Sequence, residues 1–132
     1  WIPVTLFYFQ DNTSASELIG IDIVPEAIET ASIVARTFGY DRTRFELANG
    51  KNYDFRGAQI IYVVGVVSEK AQVLSKIASS APEDVQIVVN EPYSLGHLWH
   101  ESVEPYIDPR LEIAVKGAGM GTLRNLLLRR RA

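Results

Sequence analysis

The chain has 132 residues, 47% of them hydrophobic and 22% charged, the composition of a globular domain with one hydrophobic core. A formal charge of −3 gives no electrostatic footprint for nucleic acid, and the absence of cysteine excludes a disulfide framework and a thiolate zinc site. No apolar run reaches the roughly 18 residues of a membrane span, so a cytoplasmic protein with neither nucleic-acid nor membrane partners is expected.

Trp1 to Phe9 comes first. Natural termini are usually polar and loosely held, whereas this chain opens directly on dense apolar sequence. The start therefore reads as a cut through a longer protein, and the run lacks the basic flank and cleavage site of a signal peptide. Its Val, Thr, Phe and Tyr content favours a strand. Pro3 in front and Gln10-Asp11-Asn12 behind suit a buried helix equally, and periodicity cannot arbitrate in so apolar a run.

Leu18 to Ile23 is a short apolar strand with an acid near its end. Pro25 suits the first turn of a following helix, in which Ala27, Ala31, Val34 and Phe38 recur at helical spacing; Gly39 stands where a C-cap glycine belongs. Arg44 to Leu47 reads as a strand closed by an Asn49-Gly50 turn, and Gln59 to Val64 as a strand buried on both faces. Ser68 is expected to cap a helix whose inner face is Ala71, Leu74 and Ala78, beside Val73 and Ile77. Pro82 ends it. Val85 to Val89 is the next strand, with Asn90-Glu91-Pro92 expected in a loop and a short helix over His97 to Val103. Leu111 to Val115 and Leu123 to Leu128 complete the series, and Arg129-Arg130-Arg131 reads as a solvated tail or a charge-guarded edge. Alternating strands and helices predict one domain, residues 1–132, an α/β fold of Rossmann-like type with a mostly parallel sheet.

In such sheets ligands lie beyond the carboxyl ends of the strands. Asp22 is placed to accept hydrogen bonds from ribose hydroxyls, with Ile23 beside it; the plainer alternative is a helix cap. Asn49-Gly50 falls at the next strand tip, where an amide offers a donor and an acceptor to adenine, although a β-turn accounts for most Asn-Gly pairs. Gly65 either lets a ligand approach the backbone or eases entry to a helix. Glu91, Tyr93 and His97 are candidates for substrate contact on the loop after the fourth strand. His97 and His100 are spaced to share a metal, but no third ligand has a recognisable spacing, so no metal site is assigned. Gly117-Ala118-Gly119-Met120-Gly121 imitates a dinucleotide fingerprint without room for the strand and helix such a loop must open; it reads as a turn between the last two strands. No Ser-His-Asp order or nucleophile elbow is present, and no catalytic residue is assigned.

Taken together these segments resemble the nicotianamine synthase family, over almost the whole chain. Trp1-Ile2-Pro3-Val4-Thr5 resembles the family's Leu-Pro-Leu-Thr segment after its glycine motif, and Ile21-Asp22-Ile23-Val24-Pro25 its Asp-x-x-Pro ribose-binding strand end. Val63-Val64-Gly65 with Glu69-Lys70 is similar to its fourth strand and following helix. Ser94-Leu95-Gly96 through Ser102-Val103-Glu104-Pro105 is similar to a late loop ending in Val-Glu-Pro, and Asn125 to Arg130 to its terminal strand. Asn49 departs from the acid usual in related transferases. The resemblance implies a class I methyltransferase-type sheet with an antiparallel last strand, a helix over Pro3 to Phe9, and a first strand and glycine loop lying upstream of Trp1. It also implies transfer of an aminocarboxypropyl group from S-adenosylmethionine, as co-substrate, to a small-molecule amine. Methyl transfer and a non-catalytic nucleoside-binding domain are the alternatives, and a homodimer is admitted as an assembly. Without the first strand, weak or no S-adenosylmethionine binding is expected of the 132 residues alone.

Overall fold

Helix α1 (Val4–Asn12), strand β1 (Leu18–Asp22), helix α2 (Pro25–Phe38) and strand β2 (Thr43–Leu47) open the fold of this computed structural model, which describes residues 3–119 and 121–132. The parts of the sequence reading that fall on Trp1, Ile2 and Met120 lie outside the described residues. By its contacts the chain divides into two compact units, the first ending at Tyr53 and the second beginning at Asp54.

In the first unit β1 and β2 run parallel, from Leu18 opposite Thr43 to Asp22 opposite Leu47. α1 is helical against the β propensity of its residues, and its burial pattern gives the reason. Phe7 and Gln10 are the two buried positions, three apart. A helix brings such a pair to one face, and a strand would send them to opposite faces. The Phe7 ring stacks on Tyr40 at 4.3 Å and meets Phe45 edge-on at 6.2 Å, while Gln10 Oε1 accepts from the Thr43 hydroxyl at 2.6 Å. Gly20 lets Phe45 lie against the backbone of β1: a Cβ there would stand 2.7 Å from the ring. α2 follows its sequence signals closely. Pro25 opens it, Ala31 and Ala35 are buried, and Gly39 closes it at φ 72° with its N–H directed to the carbonyls of Ala35 and Arg36.

The second unit holds β3 (Ile60–Val63), α3 (Lys70–Ser80), β4 (Gln86–Pro92), two 3-10 turns (Ser94–Leu98 and Glu104–Tyr106), β5 (Leu111–Lys116) and β6 (Leu123–Arg130). Its sheet has the order β3-β4-β6-β5. β3 and β4 are parallel, whereas β6, the last strand, is antiparallel to both of its neighbours. Leu74, Ile77, Ile87, Val89, Leu126 and Leu128 are fully buried and form the centre of this unit.

Four expectations are corrected here. Asn90-Glu91-Pro92 is strand, not loop: pairing with β3 stops at Val89, but β6 carries β4 onward through Asn90–Asn125, Glu91–Arg124 and Pro92–Leu123. Ser68 does not cap α3; the chain turns between Val64 and Val67 and enters through Glu69 at φ 54°, whose carbonyl receives the N–H groups of Gln72 and Val73. The segment from His97 to Val103 is not one helix: His97 and Leu98 end the first 3-10 turn, the second begins at Glu104, and between them the Val103 N–H is taken by the Glu91 carboxylate instead of a helix carbonyl. Arg129 and Arg130 belong to β6, opposite Glu112 and Leu111, rather than to a tail.

Candidate functional site

The carboxyl end of the β1–β2 pair gathers four of the residues singled out in the sequence. Asp22 ends β1, and its carbonyl accepts the Ala48 N–H at 2.9 Å, so the ladder runs one step past Leu47. This brings Asn49 and Gly50 directly after the point of contact on one strand, with Ile23 directly after Asp22 on the other. One carboxylate oxygen of Asp22 accepts the Val24 N–H at 2.9 Å, a turn that fixes the side chain as the chain enters α2. Its second oxygen has no protein donor among the described residues. Asn49 Oδ1 accepts the Lys51 N–H at 2.9 Å, and its carbonyl accepts from Asn52, so Asn49 builds the turn expected of an Asn-Gly pair. Asn49 is an exposed residue at the strand end. The end thus offers a half-buried carboxylate oxygen and an amide donor, the groups a nucleoside's diol and base would use.

The second unit places Gly65 just past β3 and Glu91, Tyr93 and His97 on or just after β4. Glu91 shares the inner face of β4 with Ile87 and Val89, all three wholly shielded from solvent. Its carboxylate is committed to the Val103 N–H, at 3.0 Å from one oxygen and 3.2 Å from the other, and to the Ser102 hydroxyl. Tyr93 is 41% exposed, with its ring against the Gly119 backbone and the Arg124 guanidinium 5.9 Å over it, and is anchored by its N–H to the Thr122 carbonyl at 2.8 Å. His97 is exposed on the first 3-10 turn. Among the described residues no three His, Asp or Glu side chains come together as metal ligands, His97 and His100 included.

Sequence reasoning missed a polar node at the carboxyl ends of β3 and β4. Asn90 Oδ1 accepts the Gly65 N–H at 3.1 Å, and Asn90 Nδ2 donates to Tyr62 Oη at 2.9 Å and to Asn125 Oδ1 at 2.6 Å. Lys70 Nζ donates to the Gly65 carbonyl at 2.7 Å. Burial pushes the Lys70 ammonium below the usual lysine range, with the Glu91 carboxylate opposing the shift. The available signal was an asparagine closing a buried β-branched run, but its partner Gly65 stands 25 positions away.

Comparison with known proteins follows the same outline. No protein-family model matches the sequence, and no curated protein matches it. Solved structures do. A nicotianamine synthase, MtNAS, in complex with MTA and tNA superposes with a TM-score of 0.88 at 14% identity, over 99% of this chain and 50% of the other. A point mutant of MtNAS in complex with S-adenosylmethionine gives 0.87 at 14% identity, over 98% and 51%. The mitomycin 7-O-methyltransferase MmcR gives 0.76 at 15% identity, over 92% and 44%. The chain spans about half the length of these structures. At such identities the likeness establishes architecture alone: the chain has the α/β fold of Rossmann-like, class I methyltransferase-type domains.

Proposed function

We propose that the chain is the S-adenosylmethionine-binding part of a transferase. The observation that carries this reading is Asp22: a carboxylate at the carboxyl end of a parallel strand, held by Val24 through one oxygen and open at the other. An ionised carboxylate is acceptor-only, so the open oxygen suits a ribose hydroxyl. Ile23 and Gly50 flank it, and Asn49 offers its amide to the adenine edge; within the second unit, taken by itself, Gly65 would let a ligand approach the backbone after β3. In the second unit, Tyr93 and His97 are the proposed contacts for an acceptor, and Glu91 holds the far end of their loop through Val103. The solved MtNAS complex with S-adenosylmethionine supports the choice of co-substrate.

Within that class, transfer of an aminocarboxypropyl group to a small amine is favoured by the likeness to MtNAS in its complex with MTA and tNA. A sulfonium sulfur is a good leaving group, so the protein supplies chiefly proximity and a base. The amine lone pair forms the new N–C bond while the C–S bond breaks, its electron pair returning to sulfur. The amine proton passes to the base. Methyl transfer is the second reading, favoured by the likeness to MmcR.

Incubating the natural protein that carries this sequence with S-adenosylmethionine and amine acceptors tests both. Methylthioadenosine marks aminocarboxypropyl transfer, and S-adenosylhomocysteine marks methyl transfer. Asp22→Ala is expected to weaken S-adenosylmethionine binding about tenfold or more, the loss of charge-assisted hydrogen bonds. Calorimetry showing no binding by the natural protein refutes the transferase reading and leaves a non-catalytic domain.

A further inference from the structure

Gly65 is the second residue of the turn from Val64 to Val67, closed by the Val67 N–H on the Val64 carbonyl at 3.2 Å. Main-chain pairing between β3 and β4 ends at Val63 and Val89. One step later the ladder continues through a side chain: Asn90 Oδ1 stands in for a main-chain carbonyl and accepts the Gly65 N–H. The other face of the same residue is tied by Lys70, whose ammonium donates to the Gly65 carbonyl. Both main-chain polar groups of Gly65 are therefore satisfied by side chains. Gly65 is buried, and a Cβ on it would meet Leu123 at 3.3 Å, whereas Val66 at the turn's tip is 62% exposed. The asparagine is in turn oriented by its own two donations, to Tyr62 and Asn125. Three strands thus meet in one side chain, and a half-buried lysine closes the arrangement from α3. Such a node makes a rigid turn at the end of a sheet where ligands are bound.

We propose that Asn90 is a positioning residue, with Lys70 as its counterpart, that sets the main chain of the Val64–Val67 turn for contact with S-adenosylmethionine. This rests on the transferase reading above. Asn90 touches no ligand itself; it acts through the Gly65 peptide.

Two measurements on the natural protein test it: S-adenosylmethionine affinity by calorimetry, and exchange of the Gly65 amide by NMR. Asn90→Leu removes the acceptor at similar size and is expected to weaken binding about tenfold and to speed Gly65 exchange by a similar factor. Asn90→Asp keeps an oxygen for Gly65, can accept the Tyr62 hydroxyl, and can accept from a turned Asn125 amide; it is expected to stay within about threefold of wild type. Ile77→Val, which lowers stability in the core without touching the node, controls for general loosening and is expected to leave affinity unchanged. The inference is overturned if Asn90→Leu binds like wild type, if Ile77→Val weakens binding as much as Asn90→Leu does, or if Asn90→Asp fails as Asn90→Leu does. Should wild type bind no S-adenosylmethionine at all, the transferase reading and the ligand role fall together. The exchange measurement then decides separately whether Asn90 fixes the turn.

Discussion

Glu91→Ala is expected to destabilise the second unit by about 3 kcal/mol, within a range of about 2–4. The estimate follows from what the carboxylate touches. Val103 is buried at 3% exposure, and its N–H has both Glu91 oxygens as acceptors. Removing them leaves a buried donor unpaired, which costs about 1–3 kcal/mol. The Ser102 hydroxyl loses its acceptor but keeps the Glu104 N–H as a partner at 3.3 Å, so its share is small. The one buried methylene that is lost adds about 0.8 kcal/mol together with a cavity. Against this stands the relief of no longer burying a charge. Glu91→Gln keeps the volume and a carbonyl for Val103, so a loss of about 1 kcal/mol is expected. Urea unfolding followed by circular dichroism gives both numbers from midpoint and slope. If Glu91→Ala loses under about 1 kcal/mol, or the glutamine variant is the worse of the two, then Glu91 is not the clasp of this loop and the argument fails.

Gly96→Ala is expected to lower the thermal midpoint and loosen the loop after β4, because a Cβ at Gly96 would stand 2.0 Å from the Thr122 carbonyl oxygen; a thermal scan matching wild type would refute it. Asp108 is held well below the usual carboxylate range, first by its hydrogen bonds from the Arg110 guanidinium at 2.9 Å. A lowered folded-state pKa contributes stability that is full above the unfolded value of about 3.9 and fades as pH falls through the folded one. The stability gap between wild type and Asp108→Asn should therefore be constant near neutrality and narrow below about pH 4, and urea midpoints that diverge on acidification would contradict it. Ile19→Lys or Ile60→Lys, at exposed positions on strands with one hydrogen-bonded neighbour among the described residues, is expected to slow self-association of the 132-residue chain about tenfold by light scattering. Scattering that is the same with and without the lysines would remove the edge argument.

Legibility varied with how local the signal was. α2 announced itself because its apolar stripe, Pro25 and Gly39 all lie within one segment. α1 was not readable from its residues, since apolar side chains occur all round it; contacts with distant residues, among them the Phe7–Tyr40 stack and the Gln10–Thr43 bond, select the helix. Asn90-Glu91-Pro92 has the composition of a loop. Pairing with β6 overrides that composition, and the final position of Pro92 in β4 spares the ladder a missing donor. For the candidate site, Asp22 and Asn49-Gly50 were legible as strand-end residues because acids and Asn-Gly pairs mark strand tips. The commitment of the Glu91 carboxylate to Val103 was not, since a glutamate in so polar a stretch gives no sign of burial. The Asn90–Gly65 bond depends on the register of two parallel strands, which no spacing within the sequence reveals.

The edges of the two sheets carry a further consequence for the Asp22 reading. β2 bears Arg44 and Glu46, with Arg44 also paired to Glu17 at 2.7 Å, and β5 bears Glu112 and Lys116 and a register irregularity between Ile113 and Val115. Charges and bulges of this kind keep an edge from pairing further. β1 and β3 each have one hydrogen-bonded neighbour among the described residues, yet Leu18 to Ile21 and Ile60 to Val63 hold no charge and no proline. An unguarded, β-branched edge is the pattern of a strand made to be paired on both sides. Asp22 ends one of these strands. A carboxylate at the tip of a strand paired on one side sits on backbone that can fray, whereas pairing along the open side of β1 would fix the geometry its second oxygen needs for a diol. On the proposed reading of Asp22, affinity for a nucleoside should therefore rise when that side of β1, which has no strand partner among the described residues, is paired.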